Sequence, residues 1–424
     1  MLFLHKYYKS VKMTGLRNIV LYDTAETHEN LLPLSYTRPV GGFRLGIMTI
    51  KEKWQRYLPG EYSFKTVGYL QEKYKPVELG ELLALFINGS LLPDPDVAAA
   101  ISELEEGDLI TDGETVLAFI AKDSDFEKLA NLSKEDFSSY REVRVGARRL
   151  KFVFDIFLNN EKEIINDYHL MVAGKKSQPL SDSCTVIGKS EDENGSPNIF
   201  IEEGAVVEGA ILNVKNGPIY IGKDAEVMEG CVLRGPIALG EHSIFKMGAK
   251  IYGGTTIGPY CKIGGEIQNI VVFGYSNKAH DGYLGNAVVG EWCNIGAGTN
   301  ASNLKNDYAK IRIWNYRQQR FMRTDLQFCG LIMGDHSKAG INCMFNTATV
   351  VGVGVNLHGA GFPRVFIPSF SEGSPEGGFS SVSIDKFMTT AQRVMSRRGL
   401  ELNDTDREIC QYIYDYASKF KGKA

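Results

Sequence analysis

Hydrophobic positions recur every six residues through the middle of the chain. The series runs without a break through eight positions: Ile221, Val227, Leu233, Leu239, Phe245, Ile251, Ile257 and Ile263. Four residues after each stands another small or apolar side chain, at Ala225, Cys231, Ile237, Ser243, Ala249, Thr255, Cys261 and Ile267. An α-helix would repeat near 3.6 residues and an ordinary strand near 2. Hexapeptide periodicity instead predicts a parallel β-helix, in which each hexad forms one short strand and a turn.

The first residue of each hexad is expected to point into the coil, and three hexads are expected to close one turn. We place this β-helix over 184–370. The register breaks after Ile267 and resumes in two later stretches, at Val289 and Ile295 and near Ile332, Met344 and Val350. Interruptions of a solenoid are loops that leave the coil, and loops often carry function.

The region over 17–175 has a different pattern of hydrophobic and polar residues. Strand-like runs such as NIVLYD and TVLAFIA alternate with helix-like runs such as TIKEKWQRYL. Thr49 and Glu52 have the spacing of a capping box, so a helix is expected to begin there. The alternation predicts an α/β domain with a mostly parallel sheet. Residues 1–16, ahead of the first strand, are expected to form a disordered extension.

The last region, 376–424, has apolar residues at helical spacing. Two segments are separated by GLELND, and Asn403 or Asp404 is the expected N-cap of the second. This pattern predicts a pair of helices that pack against the β-helix or against a neighbouring subunit.

Charge and cysteine content exclude several classes of protein. The 424-residue chain has a net charge of −4 and a pI near 6.1, and no basic block matches a nucleic-acid backbone. No apolar segment is long enough to span a membrane. Seven cysteines form no CxxC pair, so we expect reduced thiols in a cytoplasmic protein and neither a disulfide framework nor a zinc site.

The stretch SNKAHDGYLGNAVVGEWCNIGAGTN, over 276–300, contains candidate chemistry where the hexad register is interrupted. Its single histidine, His280, stands beside polar and small residues. One reading makes His280 a turn residue of the coil; the other makes it a general base, because the pKa of histidine lies near neutrality. Exposed polar residues where a loop meets a scaffold favour the second reading.

The hexads together with HDGYLGNAVVGEWCNIGAGTNASN (280–303) resemble the acetyltransferase half of the bifunctional UDP-N-acetylglucosamine pyrophosphorylase/glucosamine-1-phosphate N-acetyltransferase family. The residues that carry the resemblance keep both identity and spacing: His280, Tyr283, Leu284–Gly285, Asn294–Thr299 and Asn303. The expected fold class is an α/β nucleotidyltransferase-like N-terminal domain, then a left-handed parallel β-helix of hexapeptide repeats, then a C-terminal helical tail. The left hand and a homotrimeric assembly are implied by the resemblance.

The resemblance also implies roles for individual residues. His280 corresponds to the general base that takes a proton from a sugar amine as the amine attacks acetyl-CoA. Tyr283 and Asn294 correspond to contacts with the amino-sugar phosphate, and Ala297 and Asn303 to part of the acetyl-CoA groove. The small Gly296 and Gly298 are expected to let the thioester approach backbone amides that stabilise its oxyanion.

Two features depart from the family pattern. GGEIQNIVVFG (264–274) has Gln268 where the family has a lysine, so the phosphate contact is expected from another cation: Lys278, which is nearest the motif, or Arg234, Lys305 or Lys310. The connection over 304–331 is longer than in the family. Its alternating KIRIWNY predicts a hairpin that projects from the coil.

In the N-terminal region, PLSYTRPVGGFRLGIMTIKEKW (33–54) is similar to a variant phosphate-binding loop of sugar nucleotidyltransferases. This similarity makes four residues candidate nucleotide contacts: Arg38, Arg44, Gly46 and Lys53. The family has a magnesium-binding aspartate after a mid-domain NG, where FINGSLLPD has Ser90, so the metal ligand is unknown. Asp94 and Asp96 are the candidate substitutes for an Mg²⁺ ligand, and UTP or dTTP is the candidate nucleotide. Without that ligand the nucleotidyl transfer is expected to be weak, altered or lost.

Three other functions were weighed against a two-domain transferase. A nucleotidyltransferase whose β-helix serves only oligomerisation or regulation would lack the His280 motif, which is present. A non-catalytic scaffold would agree with the missing lysine and aspartate. A zinc carbonic anhydrase on the same coil would need clustered histidines, and those of the coil region are too scattered for that: His242, His280 and His336.

Overall fold

The computed structural model describes residues 17–113, 115–126, 134–193 and 195–422. The predicted disordered extension over 1–16 lies outside the described residues. The chain forms two compact units. The first holds the described residues up to Glu29, with Arg38–Phe43 and Met48–Lys151; the second holds Asn30–Thr37, Arg44–Ile47 and the chain from Phe152 onward.

The first unit is built on a mixed six-stranded sheet. Its strand order is Gly60–Lys65, Arg17–Tyr22, Leu83–Asn88, Thr115–Lys122, Asp108–Asp112 and Arg141–Val143. The first three strands are parallel, and Thr115–Lys122 runs antiparallel to both of its neighbours. The sheet is therefore mixed, whereas the sequence predicted a mostly parallel one. A separate two-stranded ladder pairs Leu91–Leu92 with Arg148–Arg149.

Short helices connect these strands. They are Ala25–Asn30, Ile50–Tyr57, Gly68–Gln71, Pro95–Ser102 and Asp123–Phe126, with 3₁₀ turns at Leu34–Tyr36, Val40–Gly42 and Lys134–Phe137. The predicted capping box is confirmed: the Thr49 side chain accepts from the backbone N–H of Glu52, and the Glu52 carboxylate accepts from the backbone N–H of Thr49. On the sheet, the rings of Phe86 and Phe119 stack 5.0 Å apart within a buried cluster.

The second unit contains the predicted parallel β-helix, whose strands form three ladders. Face A contains Ile199–Ile201, Ile219–Ile221, Ile237–Leu239, Thr255–Ile257, Ile332–Met333, Val350–Val351 and Phe366–Ile367. Face B contains Val206–Val207, Glu226–Val227, Ile244–Phe245, Lys262–Ile263, Asn277–Lys278, Asn294–Ile295, Lys338–Ala339, Asn356–Leu357 and Ser371–Ser374, with Gly378–Ser381 added antiparallel. Face C contains Thr185–Ile187, Ile211–Asn213, Val232–Arg234, Lys250–Ile251, Asn300–Ala301 and Met344–Phe345. Two long strands, Glu266–Gly274 and Tyr283–Glu291, run from face C into face A.

The hexads explain why this coil forms. On face A, Ile221, Leu239 and Ile257 occupy one register column, so each inward side chain packs on its counterpart one turn away. All eight lead residues are buried in a single apolar cluster. Burying one side chain of this size stabilises the fold by about 1.5–3 kcal/mol. The column continues through Met333 and Val351, one residue later than the predicted Ile332 and Val350.

That one-residue error has a physical cause. The outward side of face A is buried as well, so both alternating positions are apolar there and the sequence pattern loses its phase. Helix Asp155–Val172 covers part of this side through a cluster of apolar contacts: Ile164, Tyr168 and Val172 with Phe200, Tyr220 and Ala238. This helix therefore packs with the compact unit that contains the β-helix.

The interruptions of the hexad pattern have two structural origins. After Ile263 the chain reaches face C at Ile267 in only four residues, which shifts the register of the next turn. After Ala301 the chain leaves the coil and returns at Ile332. The predicted hairpin lies in this excursion and is confirmed as Arg312–Asn315 paired antiparallel with Arg320–Arg323.

One side of the hairpin packs on the chain itself. The ring of Trp314 stacks 4.2 Å from that of Phe366, and Tyr316 contacts Phe366 and Phe420 edge-on. The two predicted C-terminal helices are confirmed as Ile384–Ser396 and Asp404–Ala417, followed by a 3₁₀ turn at Ser418–Phe420, and Asn403 is the N-cap of the second helix. No helix in the described part of the chain is long and apolar enough to cross a membrane.

Candidate functional site

His280 lies at the corner where the chain passes from face B to face C. Strand Asn277–Lys278 ends on face B, and the next strand begins on face C at Tyr283. The side chain of His280 is exposed, and no hydrogen bond joins its ring to another described side chain. The corner is held to the next turn by the backbone N–H of Gly298, which donates to the carbonyl of Asp281 at 3.0 Å. The structure therefore presents the imidazole to solvent from a fixed backbone.

Lys278 occupies an inward position of the coil. It shares a register column with Ile263 and is only 2% exposed. Its ammonium donates to the carbonyl of His280 at 2.8 Å and lies 3.4 Å from that of Gly264. Burial lowers the pKa of Lys278 to about 8. This placement favours a role in anchoring the His280 corner over the predicted contact with a substrate phosphate.

Tyr283 and Asn303 are brought together on face C. The Asn303 amide donates to the Tyr283 hydroxyl at 2.9 Å, and that hydroxyl donates to Oε1 of Gln268 at 3.2 Å. The backbone N–H of Tyr283 donates to the side chain of Asn300 at 2.7 Å. Burial raises the pKa of Tyr283, so its phenol stays neutral. Gln268, which replaces the expected lysine, is thus a neutral partner of the tyrosine.

Gly285 gives the Tyr283–Asn303 pair its space. A Cβ at Gly285 would meet the Tyr283 hydroxyl and would lie 2.8 Å from Nδ2 of Asn303. Packing therefore explains the glycine in the LG of the motif: a side chain at this position would collide with the pair. The sequence alone did not reveal this.

For the acetyl transfer that the resemblance implies, substituting Gly285→Ala is expected to displace the pair and to raise KM for the sugar phosphate about tenfold, the loss expected for one or two hydrogen bonds. Gly274→Ala is the matched control, because a Cβ there meets nothing closer than 3.4 Å. Steady-state acetyl-transfer kinetics of the two variants test this expectation, and equal KM values would contradict it.

Asn294 and Ala297 belong to the turn that follows His280. Asn294 is exposed on face B in register with Asn277, and Ala297 lies at the B–C corner next to that of His280. The predicted acetyltransferase residues thus surround one corner over two successive turns, on both adjoining faces. The backbone amides predicted to stabilise the oxyanion already have hydrogen-bond acceptors. The N–H of Gly296 donates to the carbonyl of Ala339, and the N–H of Gly298 donates to the carbonyl of Asp281.

The other cations considered for the phosphate lie elsewhere. Lys305 pairs with Asp307 at 3.0 Å and Lys310 with Asp325 at 2.6 Å, both in the excursion. Arg234 is exposed at the end of a face C strand, four turns before Asn300. None of the three is adjacent in register to Asn294.

In the first unit, the sequence analysis missed Asp23. It follows the strand Arg17–Tyr22 directly, and its carboxylate accepts from the backbone N–H of Val40 at 3.2 Å and from the hydroxyl of Thr66 at 2.7 Å. Burial raises the pKa of Asp23 to about 7. A Cβ at Gly89 would lie 2.9 Å from its Oδ1. Asp23 is therefore a carboxylate beside the mid-domain NG that the sequence did not single out.

The residues proposed as metal ligands have other partners. The hydroxyl of Ser90 donates to Asn88 at 2.7 Å, and Asp94 caps the helix Pro95–Ser102 by accepting from Val97. Asp96 is exposed on that helix. Among the described residues, no three His, Cys, Asp or Glu side chains group closely enough to hold a metal ion.

The four candidate nucleotide contacts are divided between the units. Arg38 and Lys53 are buried in the first, with 7% and 1% of their surface exposed. Arg44 and Gly46 belong to the second. The Gly46 N–H donates to Asn160 Oδ1 at 2.6 Å, and a Cβ at Gly46 would lie 2.7 Å from the Glu163 carbonyl. Close packing against the Glu163 carbonyl therefore explains why a glycine stands at this position.

Comparison with known proteins gives one family match and several partial relatives. A sugar nucleotidyl transferase family model matches residues 19–176. The bifunctional protein GlmU of Gloeobacter violaceus is 27% identical over 139 residues, which is 32% of this chain and 26% of that protein. GlmU of Bartonella quintana is 24% identical over 271 residues, 61% of this chain and 54% of that protein. The chain thus spans about half or less of the length of these relatives.

Among solved structures, the UDP-N-acetylglucosamine acyltransferase from Campylobacter jejuni aligns with 55% of this chain and 95% of its own, at 12% identity and a TM-score of 0.19. The nucleotidyl transferase match lies over the part of the chain that contains the mixed sheet, and GlmU identity, although weak, extends along more than half of the chain. The chain is therefore similar to sugar nucleotidyl transferases over residues 19–176 and, at low identity, to part of GlmU over more than half of its length.

Proposed function

We propose that this protein is a transferase of nucleotide-sugar biosynthesis with two activities. The β-helix moves an acetyl group from acetyl-CoA to the amine of an amino-sugar 1-phosphate, and the first unit joins a sugar 1-phosphate to a nucleotide from UTP or dTTP. One observation carries the acetyl transfer: His280 is exposed on an anchored corner beside the Tyr283–Asn303 pair.

In the proposed acetyl transfer, the amine nitrogen attacks the thioester carbonyl and His280 takes the proton that the nitrogen loses. The C–S bond then breaks, the thiol of coenzyme A leaves with a proton, and an amide remains. Tyr283 and Asn294 orient the sugar from faces C and B. Asn303 holds the Tyr283 hydroxyl, and Ala297 leaves room for acetyl-CoA at the next corner.

In the proposed nucleotidyl transfer, Arg38 and Lys53 of the first unit contact the phosphates. Asp23 would hold Mg²⁺ as a single carboxylate, since Mg²⁺ is commonly bound by one or two carboxylates together with substrate phosphates. The metal would stabilise negative charge on the phosphates. It would also favour the ionised form of Asp23, which burial disfavours at present.

Exposed apolar side chains support the proposal of a homotrimer. Val206 stands outward on face B and Ile211 and Val232 outward on face C, each with more than a third of its surface exposed. Outward valine and isoleucine on a solenoid are usually covered by another surface. Light scattering at several protein concentrations tests this assembly.

Thiol release from acetyl-CoA with glucosamine 1-phosphate tests the acetyl transfer, and pyrophosphate release from UTP or dTTP with N-acetylglucosamine 1-phosphate and Mg²⁺ tests the second activity. Thiol release that requires the sugar phosphate supports the proposal. No release with any amino-sugar phosphate would contradict the acetyltransferase assignment.

Substituting Asp23→Asn is expected to lower the rate of pyrophosphate release by about 10–100-fold and to leave acetyl transfer unchanged, because it removes one charged oxygen ligand from the first unit only. Asp136→Asn, at an exposed aspartate of the same unit, is the control. Equal rates for the two variants would remove Asp23 from the proposed site.

A further inference from the structure

The second unit has a row of polar side chains on the outward side of face B. Lys262, Asn277, Asn294 and Lys338 occupy one outward column on four successive turns. Parallel strands lie about 4.8 Å apart, so Lys338 and Asn294 are close neighbours. The row runs past the corner that presents His280.

Lys338 differs from the other lysines in the surroundings of its ammonium. The ammonium donates to the carbonyl of His336 at 2.9 Å, which fixes its position and leaves two further donors. Burial lowers the pKa of Lys338, and no carboxylate of the described residues forms an ion pair with it. A partly desolvated, pre-positioned cation binds an anion at a smaller entropic cost than a mobile one.

The acidic end of the row does not neutralise this charge. Glu372, two turns beyond Lys338, pairs with Lys386 at 2.6 Å and accepts from the amide of Asn356 at 3.0 Å. Its carboxylate therefore interacts with Lys386 and Asn356 and forms no ion pair with Lys338.

The two asparagines between the lysines have unused hydrogen-bonding capacity. The side-chain oxygen of Asn277 is buried and accepts no hydrogen bond, and Asn294 is exposed beside it. An unpaired buried oxygen is costly, so a donor such as a sugar hydroxyl would be stabilising there. Asn277 is three residues from His280, which places these amides on the side of the row nearest the base.

We propose that Lys338 binds the phosphate of the amino-sugar substrate, while Asn277 and Asn294 hydrogen-bond to the sugar. The proposal rests on the acetyl transfer described above and names the group that replaces the missing lysine. Lys278 is unsuited to this task because its ammonium lies inside the coil, and Lys305 and Lys310 already have aspartate partners.

The test compares two acceptors, glucosamine 1-phosphate and glucosamine, in thiol-release assays with acetyl-CoA. Lys338→Met is expected to raise KM for glucosamine 1-phosphate about tenfold or more, to leave KM for glucosamine and for acetyl-CoA unchanged, and to be partly rescued in Lys338→Arg. Lys262→Met is the matched control: it stands in the same column, but its ammonium makes no hydrogen bond within the described chain.

Calorimetric titration of glucosamine 1-phosphate into the protein without acetyl-CoA gives a second readout that needs no turnover. Weaker binding to Lys338→Met alone supports the proposal. If the wild type is active and Lys338→Met keeps the wild-type KM and affinity, or loses affinity for both acceptors equally, the phosphate site is wrong while the acetyl transfer stands. A wild type without thiol release, but with weaker binding to Lys338→Met, would reject the acetyl transfer and retain the phosphate site.

Discussion

Replacing His280 with alanine is expected to reduce acetyl transfer by about 10²–10⁴-fold, the range that a positioned general base contributes. The amine must lose a proton as it attacks the thioester, and His280 is the exposed imidazole of the corner that carries the motif residues. Without it the proton would pass to water. The effect should fall on kcat, because the sugar contacts on faces B and C remain.

The matched control is His242→Ala, which removes an exposed histidine of the same coil that stacks on Tyr260 at another corner. Pyrophosphate release by the His280 variant should equal that of the wild type, which excludes a general folding defect. An acetyl-transfer rate within threefold of wild type would refute the base assignment. A loss that appears in KM alone would make His280 a binding residue.

The sequence predicted the fold well where one physical rule dominates. A coil that buries the first residue of each hexad requires an apolar side chain at every sixth position, whichever apolar residue stands there. The lead residues from Ile221 to Ile263 were therefore assigned correctly to inward positions. The six-residue pattern predicted the wrong inward residue at Ile332. Helix and hairpin packing buries the outward side of face A, so the outward residues there are apolar as well. The six-residue pattern also failed to mark Lys278 as internal, since an inward lysine contradicts the pattern that identifies inward positions.

From the sequence, residues of the candidate site could be predicted only where they belong to the motif that resembles a known family. The family resemblance implies His280, Tyr283 and Asn303 as candidates, and the structure adds why Gly285 and Gln268 accompany them. Asp23 and Lys338 could not be found in this way, because each depends on neighbours that are distant in sequence. Strand order places Asp23 beside Thr66 and Gly89. Lys338 lies beside Asn294 because the chain returns to the coil after the excursion over 302–331.

Lys278→Met is expected to make the protein as stable as the wild type or more stable at pH 7, and less active. The ammonium of Lys278 is buried with two carbonyl partners and no carboxylate in ion-pair contact among the described residues. A buried charge without a counter-ion is costly, and methionine has a similar length without the charge. Activity should fall about tenfold in kcat, because the carbonyl of His280 loses its anchor and the imidazole its fixed position.

The pH dependence of stability separates this effect from ordinary repacking. Burial lowers the pKa of Lys278 from 10.5 to about 8, so between these values the folded state binds fewer protons than the unfolded state. Stability therefore rises with pH across that window, and the wild type should gain about 3 kcal/mol relative to Lys278→Met between pH 7 and 10.5. Urea unfolding at several pH values measures the difference, in which the other titrating groups cancel. Lys250→Met, at an exposed lysine of face C, should show no such slope. A difference that stays flat with pH would mean that folding does not lower the pKa of Lys278, and unchanged acetyl transfer would mean that Lys278 does not position His280.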